Sequence, residues 1–261
     1  MTASLRSRAI KWSCGLILSL GAKLPALAAN DAPFAETVPF LTLLLQNDAA
    51  GLAKGLHFEA LGNLYIPDGH IIALDPLLMM GAEQGFAQIV APGHYPVSVY
   101  WVEDKVWGKR NAFAKIKFSD GEVKSWHMAV NDGQDINKLK HGEFYGYGVG
   151  AGMGAFLSPE AFAAMNASMD KAQKEIPNYS NYYDDVLAKD LEITDPSRLL
   201  YAPPTDPEKN VAMFASGFGD GTYPSYFGLD ATGRPVALVT TFLVVDQAAI
   251  PKDPKHPPAK K

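Results

Sequence analysis

Between Leu61 and Val130 apolar and polar positions alternate over short runs, the spacing of strands and not of helices. Residues 62–66 and 70–74 flank Pro67-Asp68-Gly69, in which proline fixes one φ and glycine accepts a positive one, so the pattern predicts a β-hairpin there. Residues 95–102 (YPVSVYWV) are rich in β-branched and aromatic side chains, and residues 112–118 (AFAKIKF) alternate apolar with basic ones, as a strand with one wet face should. Ser119-Asp120-Gly121-Glu122 predicts a turn that folds this strand back onto residues 123–130. Upstream, residues 34–47 (PFAETVPFLTLLLQ) predict a short buried helix with Pro39 in its first turns.

A second block opens near Glu143. Ser158-Pro159-Glu160 is a helix start, with Ser158 as cap and Pro159 at the first helical position, and the helix is predicted to run to about Ile176, before Pro177. A further helix is predicted over 181–191, then a proline-rich loop over 195–207. Strands resume at 211–216, 223–229 and 236–245, the last two joined through Ala231-Thr232-Gly233. Strands, helices, then strands again predict an α+β fold. The expectation is a single domain over 30–250, built on a largely antiparallel sheet with two or three helices inserted or packed on it.

The termini change the picture of where the chain works. Arg6, Arg8 and Lys11 precede a short apolar run (residues 12–20), and Ala26-Leu27-Ala28 follows, so residues 1–29 read as a signal peptide and the protein as exported, periplasmic or secreted. The apolar run is too short to span a bilayer of ~30 Å, so no stable membrane insertion is expected after cleavage. The chain's one cysteine, Cys14, lies in this leader; the mature chain would have none, which excludes disulfides, thiolate catalysis and zinc–cysteine sites. Residues 251–261 (PKDPKHPPAKK) have nothing to bury and read as a disordered tail. The formal charge is −5 over 261 residues, but the leader and tail are basic, so residues 30–250 carry −12. Such a body repels phosphate backbones and argues against nucleic acid as a partner.

Candidate chemistry is sparse. Gly146, Gly148, Gly150, Gly152 and Gly154 alternate and, on one strand, would bare one face, either for a ligand or for a packing neighbour. No lysine follows in a phosphate-loop position and the spacing does not fit a dinucleotide fingerprint. Asp220 sits among Gly217, Gly219 and Gly221, as a turn residue or a metal or acid/base group. Ser216 is not in a nucleophile elbow, since Phe214 stands two before it. Asp75-Pro76 closes an apolar strand, as a cap for the next turn or as a site residue. The six histidines lack metal-site spacing, and His127 beside Trp126 is the one worth testing. Tyr95-Pro96 and Tyr223-Pro224 each follow a glycine turn and echo one another.

Several of these segments together resemble one bacterial family, domain of unknown function 4241. The segments are Gly69-His70-Ile71-Ile72-Ala73-Leu74-Asp75-Pro76, Ala91-Pro92-Gly93-His94-Tyr95-Pro96-Val97, residues 126–129, residues 147–152 and residues 216–223. The likeness covers about 61–245 and implies a shared architecture without an assigned reaction. Two acidic positions of the family are Gly150 and Thr241 here, while Asp75 and Asp220 are kept.

Three functions remain open. The first is a non-catalytic ligand- or partner-binding domain, favoured because no complete nucleophile–base set is present. The second is a hydrolase assisted by a divalent cation on Asp75 and Asp220. The third is an acidic immunity- or inhibitor-type interaction protein facing a basic partner. For the site, the motif residues are expected to gather at one edge of the sheet. Asp75 and Asp220 would lie within roughly 10 Å of each other. Tyr95, Trp126, His127 and Tyr223 are the other ligand-binding candidates. No resident cofactor beyond such a cation is expected.

Overall fold

The computed structural model describes residues 55–78, 85–106, 108–140, 143–194 and 197–245; the leader, the helix expected over 34–47 and the tail lie outside the described residues. Antiparallel sheets dominate. Sheet A has the order β1 (His57–Ile66), β3 (Gly93–Asp104), β4 (Gly108–Lys117), β12 (Pro235–Thr241), β11 (Ser225–Leu229), β5 (Ser125–Met128). Sheet B has the order β2 (Ile72–Leu74), β7 (Met153–Leu157), β9 (Val211–Ala215), β8 (Arg198–Tyr201), and a two-stranded ribbon pairs β10 (Gly221–Tyr223) with β6 (Tyr147–Val149). Helix α1 (Pro159–Glu175), the short α2 (Ala188–Thr194), preceded by a π-helical turn Tyr183–Leu187, and one 3-10 turn (Ile136–Lys138) complete the described elements.

The period-two alternation of the strands sorts their side chains into separate cores. Val97, Val99, Ala114, Ile116, Phe227 and Leu238 of sheet A meet Phe156, Ala212 and Phe214 of sheet B between the sheets. The intervening residues of sheet B (Met153, Ala155, Leu157, Val211, Met213) face the other way and pack on Ala161, Met165 and Ala172 of α1. Those helix positions recur every four to seven residues, one apolar stripe. Ser158 caps α1 through its hydroxyl, which accepts from the Ala161 amide at 3.1 Å, and Pro159 follows it as the sequence predicts. The outer face of sheet A carries a third cluster of Tyr100, Phe113, Trp126, Met128 and Tyr226. Two packed sheets with helices on one outer face make a sheet-dominated version of the expected α+β fold.

Three local expectations are overturned. The Pro67-Asp68-Gly69 turn does not close a hairpin: β1 belongs to sheet A and β2 to sheet B, so the turn passes the chain between sheets. Gly69 has φ +85, and a Cβ there would meet the Val90 carbonyl oxygen at 2.1 Å, so the requirement for glycine is real although the pairing is not. Nor do β4 and β5 pair across residues 119–122. The β11–β12 hairpin lies between them, and the 118–124 loop crosses its end: the Phe118 amide donates to Val236 O and the Lys124 amide to Leu229 O. The expected loop 195–207 contains β8, whose Arg198, Leu199, Leu200 and Tyr201 pair with β9. The hairpin through residues 231–233 is as expected, held by Asp230, whose carboxylate accepts from the Thr232 and Arg234 amides.

Candidate functional site

Asp75 follows the last residue of β2 and is fully buried. Its Oδ1 accepts from the amides of Leu77 (2.9 Å) and Leu78 (3.3 Å), the capping role of the next turn. Its Oδ2 accepts from the amides of Gly150 (2.9 Å) and Ala151 (2.7 Å), 75 and 76 residues away in sequence. One carboxylate therefore does two things: it caps its own turn, as one reading of the sequence had it, and it clamps the bend between β6 and β7. A carboxylate offers about four lone-pair directions, and four amides occupy them, leaving no strong direction for a cation.

That bend explains the alternating glycines. They do not line one strand face, because the chain bends between β6 and β7 at residues 150–152, with Gly152 at φ +73. Gly148 opens to solvent, whereas Gly154 is buried where a Cβ would meet the Tyr147 hydroxyl at 2.7 Å and the Phe214 ring at 2.9 Å. The packing reading holds for Gly154 and for Gly146, which lies against the Tyr223 carbonyl.

From the bend the network continues into the Gly-rich turn. The Ser216 amide donates to Gly152 O (3.0 Å), the Gly219 amide to Ser216 O (3.0 Å), and the Ser216 hydroxyl to Gly219 O (2.8 Å). The buried Tyr223 hydroxyl lies 2.7 Å from Gly219 O and 2.9 Å from Ser216 O. Tyr147 pairs with Tyr223 across the ribbon, and the Thr240 hydroxyl donates to the Tyr147 oxygen at 3.1 Å. Burial pushes the Tyr147 phenol far above the usual tyrosine range and raises Tyr223 as well. Asp220 stays exposed at the turn's tip, and its charge adds to the rise at Tyr223. Asp75 and the Asp220 turn are thus joined through residues 150–152 and Ser216. They form a brace between β2 and the Gly-rich turn, and among the described residues no group of three or more His, Cys, Asp or Glu could hold a metal ion.

Beside the brace lies a cleft of about 440 Å³ lined by Leu77, Leu78, Ala151, Gly152, Met153, Ala215 and residues 181–184. Its floor is the backbone that Asp75 fixes. Its wall is the turn entering the π-helical segment, where the Asp184 amide donates to Asn181 Oδ1 (2.9 Å) and Asn181 Nδ2 to Asp184 Oδ2 (2.6 Å). Tyr182 is buried behind it, its hydroxyl 2.5 Å from that of Tyr201. Leu78 and Tyr183 stand 45% and 38% exposed at the rim, which makes the opening apolar. The described lining residues give the cleft shape, apolar contact and one carboxylate, that of Asp184, for binding.

The other candidates lie elsewhere. Tyr95 lies beside Phe118, just past the end of β4, whereas the Tyr223 turn is level with Ala112, six positions back along the chain and roughly 20 Å away at about 3.3 Å per residue. Tyr95 packs edge-on against Phe118 at the far end of the inter-sheet core. Trp126 is buried on the outer face of sheet A, over Gly228, and forms no wall of the cleft. His127 faces the opposite way from Trp126 and its Nε2 lies 3.1 Å from the Ser125 hydroxyl. Residues missed from the sequence are Tyr147, Thr240 and Asn181; a tyrosine among alternating glycines was the available signal for the first.

Among the described residues no helix is long and apolar enough to cross a membrane. No curated protein matches the chain, and no solved structure matches it. A family model does, over residues 64–240, which takes in Asp75, the glycine bend, the Ser216 turn, Tyr223 and Thr240 together. The connected network is thus contained in the segment that the family defines, and the chain belongs to DUF4241, a family of proteins of unknown function.

Proposed function

We propose that this is an exported, non-catalytic binding domain, spanning 30–250 as one unit, that takes a small ligand or a short segment of a partner into the cleft beside the Asp75 brace. The leader pattern of residues 1–29 supports export. The observation that carries the binding reading is the cleft itself: an apolar-rimmed concavity whose floor is held by four amide bonds to one buried carboxylate. Such a floor is rigid before any ligand arrives, which lowers the ordering cost of binding. The same bonds explain how Asp75, itself fully buried, serves binding without touching the ligand.

Amide chemical shifts under titration with a fragment library test this. The expected result is perturbation concentrated at Ala151, Gly152, Met153 and Ala215, and its loss in Met153→Trp, which fills the cleft. Perturbations scattered over other surfaces, or unchanged by that variant, would overturn the reading.

A further inference from the structure

Three carboxylates lie in, beneath or next along the chain from the cleft, and they differ in what they can still accept. Asp75, beneath the floor, has both oxygens filled by four amides. The Oδ2 of Asp185 is taken by its own turn, through the amides of Ser180 (2.7 Å) and Asn181 (3.2 Å). Asp184 lines the cleft. Its Oδ2 accepts from Asn181 Nδ2 at 2.6 Å and its amide donates to Asn181 Oδ1 at 2.9 Å, so two reciprocal bonds hold the side chain in place. Its Oδ1 accepts from no donor among the described residues. The wall thus presents one positioned carboxylate oxygen with its lone pairs unused.

No described lining residue is basic. Met153 packs on the α1 side of sheet B, and Ala215 pairs with it and shares its face, so the cleft lies on the helix side of that sheet. Arg198 is close in the fold, because the Ala215 amide donates to Ser197 O, but it faces the other way. It shares a face with Leu200, which packs in the inter-sheet core, and it pairs with Glu59 of sheet A. Along the chain, residues 180–192 hold Asp184, Asp185, Asp190 and Glu192 against Lys189 alone, and residues 79–84, which follow Leu78, add Glu83 and no basic residue. Tyr183, exposed at the rim beside Asp184, brings an aromatic ring to which a cation is attracted. Leu77, Leu78 and Met153 supply apolar contact.

We propose that the ligand of this cleft is a small organic ammonium, its apolar arm against Leu77, Leu78 and Met153 and its charge against Asp184 Oδ1. An ammonium is a point charge and needs one free oxygen. A guanidinium fork needs two, and Oδ2 is already engaged by Asn181. The inference rests on the cleft being the binding site, and the test keeps the two apart.

The probes are phenethylammonium, phenethyl alcohol and hydrocinnamate, which share a ring and a two-carbon arm and end in a positive, a neutral and a negative group. They are titrated into the full chain at low salt while the amide shifts of Ala151, Gly152 and Met153 are followed. The expected result is saturable binding with the ammonium about fivefold tighter than the alcohol, the hydrocinnamate weakest, and the ammonium's advantage shrinking as salt is added. Asp184→Asn keeps an oxygen for Asn181 Nδ2, and should bring the ammonium down to the affinity of the alcohol while leaving the alcohol unchanged. Equal binding of ammonium and alcohol at these amides overturns the inference and leaves the cleft standing. No saturable shift with the ammonium also overturns it, and the fragment titration then decides the cleft separately. Tighter binding of acetyl-phenylalanyl-lysine amide than of phenethylammonium would overturn a free amine in favour of a partner's lysine. The ranking in the wild-type protein decides the matter even if Asp184→Asn fails to fold.

Discussion

The molecule contains the same short device twice. In Gly93-His94-Tyr95-Pro96 and in Gly221-Thr222-Tyr223-Pro224, the tyrosine ring folds back over the glycine two before it. A Cβ on either glycine would stand 3.2 Å from the ring's outer carbon and hydroxyl. Each hydroxyl donates to the carbonyl four residues back, Ala91 in one case and Gly219 in the other. The local chemistry is alike; the surroundings are not. Tyr95 is half-buried, and its hydrogen bond is exposed and serves its own turn alone. Tyr223 is 5% exposed, reaches a second carbonyl at Ser216, packs edge-on against Phe242, and belongs to the network that starts at Asp75. One motif thus shapes a strand entry where it stands alone and ties sheet B to the ribbon where tertiary contacts close around it.

The largest effect should come from the network's other end. Asp75→Asn puts an amide –NH₂ where two backbone N–H groups point, and is expected to cost about 3 kcal/mol or more in chemical denaturation, because buried donors facing a donor lose charge-assisted bonds without replacement. A loss under about 1 kcal/mol would show that the brace is not a stabilising element.

Next come the two hooks. Tyr223→Phe should cost about 1–2 kcal/mol and Tyr95→Phe about 0.5 kcal/mol, since water can replace the partner of an exposed hydroxyl but not of a buried one. Equal losses would break the comparison. Gly221→Ala and Gly93→Ala should follow the same order, as the crowded ring at Tyr95 has solvent to give into.

Double-mutant cycles sharpen the point further. Asp75→Asn and Tyr223→Phe share a chain of hydrogen bonds through Gly152 and Ser216 and should couple by 0.5 kcal/mol or more, about the lower limit for one network. Asp75→Asn and Tyr95→Phe should add, within a few tenths of a kcal/mol.

The smallest effect is at alkaline pH. Burial raises both hook phenols above the ordinary tyrosine value of about 10. A group whose folded pKa is raised stabilises fully below its unfolded value, and that contribution disappears as pH climbs through the folded one. Stability should therefore be flat on this account up to about pH 10 and fall above it. Tyr223→Phe should remove more of the fall than Tyr95→Phe when both are followed by absorbance and denaturation together.

Residue choices with a local physical cause were readable from the sequence alone: Ser158 and Pro159 starting α1, the Asp230–Arg234 turn, the strand character of 95–102 and 112–118, the glycine demanded at Gly69, and the likeness of Tyr95-Pro96 to Tyr223-Pro224. Each depends on contacts within about four residues, on one backbone angle such as the φ of +85 at Gly69, or on a side-chain period. Partnership between strands was decided by the tertiary structure. The turn at 119–122 looked like a hairpin, and two strands more than a hundred residues downstream entered between its arms, because β11 and β12 bury Phe227 and Leu238 there. Asp75 showed the same divide. Its cap to Leu77 is local and legible, but the bonds to Gly150 and Ala151 exist only because β2 and β6–β7 meet. Asn111 reads as one polar residue in a strand until two sheets close on it and leave its oxygen unpaired. Side-chain period determines which residues a strand can bury; the closing of one sheet on another determines what they are buried against, and that sets the chemistry of a site.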